Sequence, residues 1–286
     1  MTKDPLQQYK QFLATHPFRY VTSSGMCWPY LVAGRGEQAL VLLPGAPGRA
    51  EASFEYMRAF ERHYTVISIG YPADLATVEE CLHGVVRILD AEGFECAHVV
   101  GGSYSGLLAQ RFVRRYPGRV DKLVLSDTGV PRPARARKYR RYVRLLRVLP
   151  MFVIRALWRV GAYLYLHEMA PQRRPFWEAY FAQLRKTITR RECISRLQVW
   201  IDFDSGSRFS PGDLDGWQGE MLILGAERDT TFSNWERQAL RRLYPAARVC
   251  VFTGGGHAAS LDRRDEYIEA ICDFLAAEPT RQVAAS

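Results

Sequence analysis

A serine between small residues is the first feature of the sequence that could carry chemistry. Residues 99–106 read VVGGSYSG, an apolar run that leads through glycines to Ser103. Where a strand turns directly into a helix, a serine at the apex is exposed, and the positions two before and two after it must be small because the two backbones come close. Gly101 and Ser105 satisfy this around Ser103, whereas a frame centred on Ser105 would place Leu107 in the crowded position. The pattern therefore predicts Ser103 as a nucleophile.

A histidine and several carboxylates later in the chain could activate this serine. A nucleophilic serine needs a base, and the base needs an acid that orients it. Residues 254–257 read GGGH directly after an apolar run, which predicts His257 as the base on a loop that can approach the serine closely. The acid should follow the preceding apolar run. Asp229 is favoured there, Glu227 is the second choice, and Asp127, at the end of an earlier run, is the third.

Acyl transfer also needs two backbone N–H groups that stabilise the developing oxyanion. The residue after the nucleophile supplies one, the N–H of Tyr104. The loop PGAPG at 44–48 follows an apolar run, and its Ala46 N–H is expected to supply the other. No dinucleotide or phosphate-loop motif and no cluster of metal ligands occurs, so neither a cofactor nor a metal is predicted.

Short apolar runs alternate with helical patterns around these residues, and they must position them. Strands are predicted at 39–43, 64–69, 97–100, 123–125, 221–224 and 248–252. Helices are predicted at 77–92, 104–116, 234–243 and 262–276. This alternation is typical of a parallel sheet with helices on both faces.

The alternation is interrupted once. Residues 131–210 have a helical, aromatic and basic pattern, which predicts an insertion that covers Ser103 as a lid. Residues 1–130 and 211–286 together are expected to form the α/β core. Most aromatic residues of the insertion should pack the lid itself, but Trp158, Trp177 and Phe181 are predicted to line an apolar acyl pocket.

The positive charge of the chain is concentrated in this insertion. The chain has 39 Lys+Arg and 30 Asp+Glu, a net charge of +9, while residues 131–170 contain ten basic side chains and one acidic one, which leaves 29 of each sign elsewhere. Helical spacing places five arginines on one face of a helix and five apolar residues on the opposite face. The arginines are Arg137, Arg140, Arg141, Arg144 and Arg147, and the apolar residues are Tyr139, Tyr142, Val143, Leu146 and Leu149.

Two interpretations of this basic helix remain open. The simpler one is a lid helix with solvated arginines. The other is a peripheral contact of residues 137–149 with an anionic membrane or an anionic substrate. Nucleic acid is not predicted as a partner, because no binding motif accompanies the charge.

The cysteines and the hydropathy indicate the compartment. The six cysteines contain no CxxC pair, the first residues contain no apolar run after their charges, and no apolar run approaches the roughly 20 residues of a membrane span. A cytoplasmic location is expected, with a peripheral membrane contact as the alternative, and the cysteines are expected to be small core residues.

Five segments together resemble the α/β-hydrolase family over nearly the whole chain. They are LLPGAPG at 42–48, ISIGYP at 67–72, VVGGSYSGLLAQRF at 99–112, LILGAERDTTF at 222–232 and FTGGGHAAS at 252–260. Within that family the chain resembles the maspardin-like branch, which has a similar Leu-Pro pair, a Tyr-Pro pair and a Leu-Tyr-Pro-x-Ala-Arg segment, found here at 243–248. One departure is Pro44-Gly45 in place of the His-Gly that most α/β-hydrolases have in this loop.

The resemblance implies an α/β-hydrolase fold with a mostly parallel central sheet, a helical lid and no cofactor. The implied function is a serine hydrolase that cleaves an ester or thioester of a small-molecule acyl substrate through Ser103, His257 and Asp229. Two alternatives stay open: a non-catalytic binding or adaptor protein, as suspected for some maspardin-like proteins, or a related chemistry of the same residues, such as perhydrolysis or C–C bond hydrolysis.

Overall fold

A computed structural model describes residues 4–277 of the chain. Residues 1–3 and 278–286, which the sequence pattern also places in the core, lie outside the described range.

Eight strands form a single sheet in the spatial order β1-β2-β4-β3-β5-β6-β7-β8. The strands are β1 (Arg19–Ser23), β2 (Met26–Ala33), β3 (Ala39–Leu43), β4 (Thr65–Ile69), β5 (Ala97–Gly102), β6 (Val120–Ser126), β7 (Glu220–Ala226) and β8 (Arg248–Phe252). Strand β2 pairs antiparallel with β1 and β4, and every other neighbouring pair is parallel. The predicted parallel sheet is confirmed, and an antiparallel hairpin extends it at one edge.

The core lies on both faces of this sheet. Strand β3 is buried along its whole length, as the continuous apolar run ALVLL requires. Because successive side chains of a strand point to opposite faces, Val41 and Leu43 belong to one apolar cluster while Leu40 and Leu42 belong to the other. Helices cover both clusters.

Seven helices belong to the α/β core. They are α1 (Pro5–Thr15), α2 (Phe54–Phe60), α3 (Val78–Ala91), α4 (Tyr104–Arg115), α9 (Asn234–Leu243), the single turn α10 (Ala259–Asp262) and α11 (Arg264–Ala276). The Thr-x-x-Glu signal before α3 forms a capping box, in which Thr77 and Glu80 each accept a hydrogen bond from the other's backbone N–H.

Four helices between β6 and β7 form the helical insertion. They are α5 (Pro133–Val148), α6 (Met151–His167), α7 (Arg174–Thr187) and α8 (Arg190–Gly206). Arg135, in the first turn of α5, donates two hydrogen bonds of 2.7 Å to Asp204 of α8 and one of 2.6 Å to Glu236 of α9. The insertion is therefore anchored to the core through buried charged groups.

Three details differ from the sequence predictions. The helix predicted at 262–276 is interrupted at Arg263, so that α10 ends and α11 begins there. Tyr142 does not lie on the inner side of α5 but is 42% exposed, with the Lys138 ammonium 5.5 Å from its ring centre. Cys27 is exposed, although the cysteines were expected to be core residues. No helix within residues 4–277 is long and apolar enough to cross a membrane.

Candidate active site

Ser103 lies at the junction of β5 and α4 in a conformation that few non-glycine residues adopt. Its φ is +52° and its ψ is −118°. A Cβ on Gly101 would lie 2.7 Å from the Ser105 carbonyl oxygen and 2.8 Å from the Ala109 side chain. The strand and the helix therefore approach as closely as a nucleophile elbow requires.

Ser105, which stands where the elbow pattern has glycine, is accommodated by hydrogen bonds. Its side chain is fully buried, and its hydroxyl donates to the Leu43 carbonyl at 2.6 Å and accepts from the Gly102 N–H at 3.0 Å. These bonds connect the elbow to the end of β3, where the loop that contains Ala46 begins.

A continuous series of hydrogen bonds joins Ser103, His257 and Asp229. The Ser103 Oγ is 2.9 Å from the His257 Nε2, and the His257 Nδ1 is 2.9 Å from the Asp229 Oδ2. Because an ionised carboxylate only accepts, the proton of the neutral imidazole belongs on Nδ1, which leaves Nε2 free to accept from the serine. The structure thus brings together the three side chains that the sequence singled out.

The loop that carries His257 follows β8 and depends on its glycines. Gly254 has a φ of +74°, and a Cβ on Gly256 would overlap the Glu168 carboxylate. That carboxylate accepts a hydrogen bond of 3.2 Å from the His257 backbone N–H. Since Glu168 caps the end of α6, the helical insertion contacts the histidine loop directly.

The two other candidate acids lie elsewhere. Glu227 is exposed and accepts from the Gly254 N–H at 2.9 Å. Asp127 is buried at the end of β6 and accepts from the Ala226 N–H, the Ser126 hydroxyl and the Tyr267 hydroxyl, at 2.9 to 3.2 Å. Neither carboxylate is hydrogen-bonded to His257.

Asp127 is nevertheless electrostatically part of the site. Burial raises its pKa from 3.8 to about 6; the Asp229 carboxylate acts in the same direction, while His257 and the hydrogen bonds from Tyr267 and Ser126 oppose the shift. A carboxyl group with a raised pKa therefore lines the same cavity as Ser103.

Two backbone N–H groups near Ser103 have no acceptor in the described chain. The N–H of Tyr104 is the first of α4, so it has no partner within the helix. The second is the N–H of Ala46, in the loop after β3. Neither the Tyr104 N–H nor the Ala46 N–H has a hydrogen-bond acceptor among residues 4–277. Ala46 lines the cavity above Ser103.

A cavity of about 650 Å³ lies between the sheet edge and the helical insertion. Its floor includes Ser103 and His257, and its walls are mostly apolar. The wall residues include Trp158, Trp177 and Phe181, the three predicted to line an acyl pocket, together with Leu146, Ile154, Leu157, Tyr165, Ile188, Leu197 and Trp200.

Two charged cavity residues, Glu192 and Arg196, were not predicted from the sequence. Arg196 of α8 is 7% exposed, has no carboxylate partner within the described chain, and donates to the carbonyls of Tyr71 and Pro72 at 2.8 and 3.1 Å. Its Nε has no partner among the described residues. A sequence signal does exist: Thr189 and Glu192 form the capping box that starts α8, and Arg196 follows one turn later.

No group of three or more His, Cys, Asp or Glu side chains within residues 4–277 is placed to hold a metal ion. The groups at the site that could act chemically include the serine, the histidine, the carboxylates and the N–H donors of Tyr104 and Ala46.

Comparisons with known proteins identify the family. The model of the alpha/beta hydrolase family matches residues 40–270. The 2-hydroxy-6-oxo-6-phenylhexa-2,4-dienoate hydrolase of Comamonas testosteroni is 33% identical over 112 residues, which are 35% of this chain and 39% of that protein. Maspardin of Danio rerio is 36% identical over 98 residues, 32% of this chain and 31% of that protein. The aligned segments thus span less than two-fifths of each relative.

A solved structure extends the likeness to the whole fold. A hydrolase from Pseudomonas aeruginosa PA01 superposes with a TM-score of 0.76 at 19% identity, over 91% of this chain and 99% of that one. The family match covers most of the sequence, and the chain belongs to the alpha/beta hydrolase family.

Proposed function

We propose that this α/β-hydrolase is a serine hydrolase that cleaves an ester or thioester of an apolar acyl group through a covalent acyl-enzyme. The observation that carries the proposal is the hydrogen-bonded series Ser103–His257–Asp229 on the floor of a largely apolar cavity. The combination suits an acyl chain held by the walls and a carbonyl carbon held at the serine.

In the first half of the reaction, the Ser103 Oγ attacks the acyl carbonyl and its proton passes to the His257 Nε2. Asp229 holds the imidazole in the required tautomer and stabilises the imidazolium. The N–H groups of Tyr104 and Ala46 stabilise the oxyanion of the tetrahedral intermediate. When this intermediate collapses, the C–O or C–S bond to the leaving group breaks, and the leaving alcohol or thiol takes the proton from Nε2.

In the second half, water releases the acyl group. His257 Nε2 takes a proton from the attacking water, and a second tetrahedral intermediate forms at the same N–H groups. Its collapse returns the proton to the Ser103 Oγ and frees a carboxylic acid. No metal or organic cofactor is needed for these steps.

Covalent labelling with a fluorophosphonate probe tests this proposal. The wild-type protein should be labelled at Ser103, and Ser103→Ala should abolish both the labelling and the hydrolysis of acyl esters. Ser53→Ala is the matched control, because Ser53 lines the same cavity and the proposal gives its hydroxyl no chemical role. Absence of labelling in the folded wild-type protein would instead support the non-catalytic, adaptor-like alternative.

A second candidate, hydrolysis of a C–C bond, is favoured by Arg196. A buried guanidinium whose Nε has no partner among the described residues, in a largely apolar cavity, suits a substrate that carries a carboxylate. The Comamonas testosteroni relative acts, by its name, on a dienoate. The same serine, base and N–H groups could serve this chemistry.

Paired substrates distinguish the two candidates. If Arg196 binds a carboxylate, a keto acid with a cleavable C–C bond should be turned over faster than its methyl ester, and Arg196→Gln should remove the difference. If neutral acyl esters are the substrates, their hydrolysis should change much less in Arg196→Gln. Circular dichroism and thermal unfolding check that the variant, which loses hydrogen bonds to Tyr71 and Pro72, is folded.

A further inference from the structure

The outer surface of the helical insertion is unusually apolar. Eight large apolar side chains are exposed on α5 and α6, whereas only five are exposed elsewhere in residues 4–277. We call these eight the α5–α6 surface: Tyr142, Leu145, Val148, Phe152, Leu157, Val160, Tyr163 and Leu164. Val148 and Phe152, at the corner between the helices, are 75% and 74% exposed.

Helical spacing shows that α6 is apolar on two opposite sides. Phe152, Val160 and Tyr163 recur at intervals that place them on one face, and this face points to solvent. Ile154 and Trp158 lie on the other face and line the cavity. An apolar helix face is normally covered, and the outer face of α6 has no covering partner within the described chain.

Basic side chains flank this surface without acidic partners. Eight of them form no ion pair with a carboxylate in residues 4–277: Arg137, Lys138, Arg140, Arg141, Arg144, Arg147, Arg155 and Arg159. All eight are exposed. The α5–α6 surface therefore combines exposed apolar side chains with basic side chains that have no acidic partner among the described residues.

We propose that the α5–α6 surface binds an anionic lipid bilayer, with α6 lying in the plane of the interface. Phosphate groups of lipids complement the arginines, and the boundary with the acyl chains accommodates Phe152, Val148 and Val160. A nucleic acid would match the arginines but would leave these aliphatic and aromatic side chains in water. At 17 residues and without the apolarity of a membrane span, α6 suits a helix that lies on a membrane and does not cross it.

This placement would bring the cavity to the membrane. Leu157 and Gly161 are exposed and also line the cavity. The mouth of the cavity therefore lies beside the α5–α6 surface. An acyl compound that leaves the bilayer there could reach the cavity with little passage through water. The binding itself does not depend on the chemistry of Ser103, and Ser103→Ala should bind vesicles as the wild-type protein does.

Vesicle flotation tests the proposal with the full chain. The protein should float with vesicles of phosphatidylcholine mixed with phosphatidylglycerol, should bind vesicles of phosphatidylcholine alone far more weakly, and should dissociate as salt is raised. Each arginine near an anionic surface contributes about fivefold to affinity, so Arg141→Gln combined with Arg144→Gln should weaken binding on the order of 25-fold. Phe152→Ser should weaken it at least about tenfold.

Matched substitutions elsewhere serve as controls. Arg62 and Arg87 are exposed arginines without partners in the described chain, and Tyr20 is 65% exposed on β1. Arg62→Gln with Arg87→Gln, and Tyr20→Ser, should leave binding unchanged. Equal binding to neutral and anionic vesicles, or no binding at all, would overturn the proposal. The proposal would also be overturned if sedimentation showed a dimer that Phe152→Ser dissociates while the protein binds no vesicles. A second copy of the chain would then cover the α5–α6 surface.

Discussion

The two oxygens of the Asp229 carboxylate have different hydrogen-bond partners. Oδ1 accepts from the N–H groups of Thr231 and Phe232 at 2.7 and 3.1 Å, and Oδ2 accepts from the His257 Nδ1. The side chain is buried and cannot rotate without breaking the two backbone bonds. The orientation of the proposed base is therefore fixed by main-chain groups two and three residues beyond the acid.

Asp229→Asn should abolish most activity without unfolding the protein. The amide oxygen would keep the two backbone N–H bonds, so the NH₂ group would face His257 and make Nδ1 an acceptor. The imidazole proton would then move to Nε2, which could no longer take the proton of Ser103. We expect kcat to fall on the order of 10⁴-fold, measured on an activated acyl ester. Glu227→Gln, which changes a carboxylate that does not contact His257, should leave kcat nearly unchanged.

Asp127 should make stability depend on pH. Burial raises its pKa from 3.8 to about 6, so between these values the folded state holds a proton that the unfolded state has lost. The free energy of unfolding should therefore fall as pH rises from about 4 to about 6, by about 3 kcal/mol, and this contribution should then stay constant. Asp127→Asn has no such titration, and denaturant unfolding at several pH values should show a flatter profile.

The control for this pH profile is a substitution at a solvent-exposed aspartate. Asp215 is exposed, and Asp215→Asn should reproduce the pH dependence of the wild-type protein. A profile for Asp127→Asn parallel to the wild-type profile would mean that the buried carboxyl group does not titrate in this range.

At the scale of the elements, Arg135 fastens the helical insertion to the core. Its side chain is 9% exposed, and those of its partners Asp204 and Glu236 are 0% and 2% exposed. Arg135→Met would leave the buried Asp204 carboxylate without a cation and Glu236 with only Arg132, 3.5 Å away, which should lower the free energy of unfolding by about 3–5 kcal/mol in chemical denaturation. Arg137 lies in the same helix but is exposed. Arg137→Met should change the free energy of unfolding by less than about 0.5 kcal/mol.

The antiparallel hairpin shows where sequence patterns were insufficient. Strands β3 and β8 and helix α9 were predicted to the residue, because apolar runs and caps mark their ends. The hairpin β1–β2 was missed, and Pro29 within β2 weakens its strand pattern. The signal that could have revealed it is the turn Ser24-Gly25, in which both residues have positive φ, as a type I′ hairpin turn requires.

The candidate site was accessible from sequence to different degrees. Ser103 and His257 follow from local patterns, because each lies in a turn of unusual composition. The choice among Asp229, Glu227 and Asp127 needed coordinates, since all three follow the end of a strand. Arg196 could not be placed in the cavity from sequence, because its carbonyl partners Tyr71 and Pro72 are 125 and 124 residues away along the chain.

At the scale of the whole molecule, the mouth of the cavity offers a test of the acyl pocket. A Cβ on Gly161 would meet nothing within 4 Å, so a larger side chain there would project into open space at the entrance. Gly161→Phe should lower kcat/KM for octanoyl esters about tenfold while acetyl esters change little, because only the longer chain needs the obstructed space. Steady-state kinetics over a series of acyl lengths provides the measurement.

Gly161→Ala separates the obstruction from the effect on the helix. Alanine should stabilise α6 by up to about 1 kcal/mol and leave the dependence on acyl length as it is. If Gly161→Phe slowed acetyl and octanoyl esters equally, the acyl chain would not occupy this part of the cavity.

The position of the helical insertion in the chain has a consequence for biosynthesis. The Ser103 Oγ and its partner His257 Nε2 are 154 residues apart in sequence, and the four helices of the insertion lie between them. A ribosome therefore releases the serine and the whole insertion before it releases β8 and the histidine loop. In the proposed mechanism the serine hydroxyl has no proton acceptor until β7 and β8 have paired onto the sheet, so we expect a nascent or stalled chain to be inert towards acyl esters.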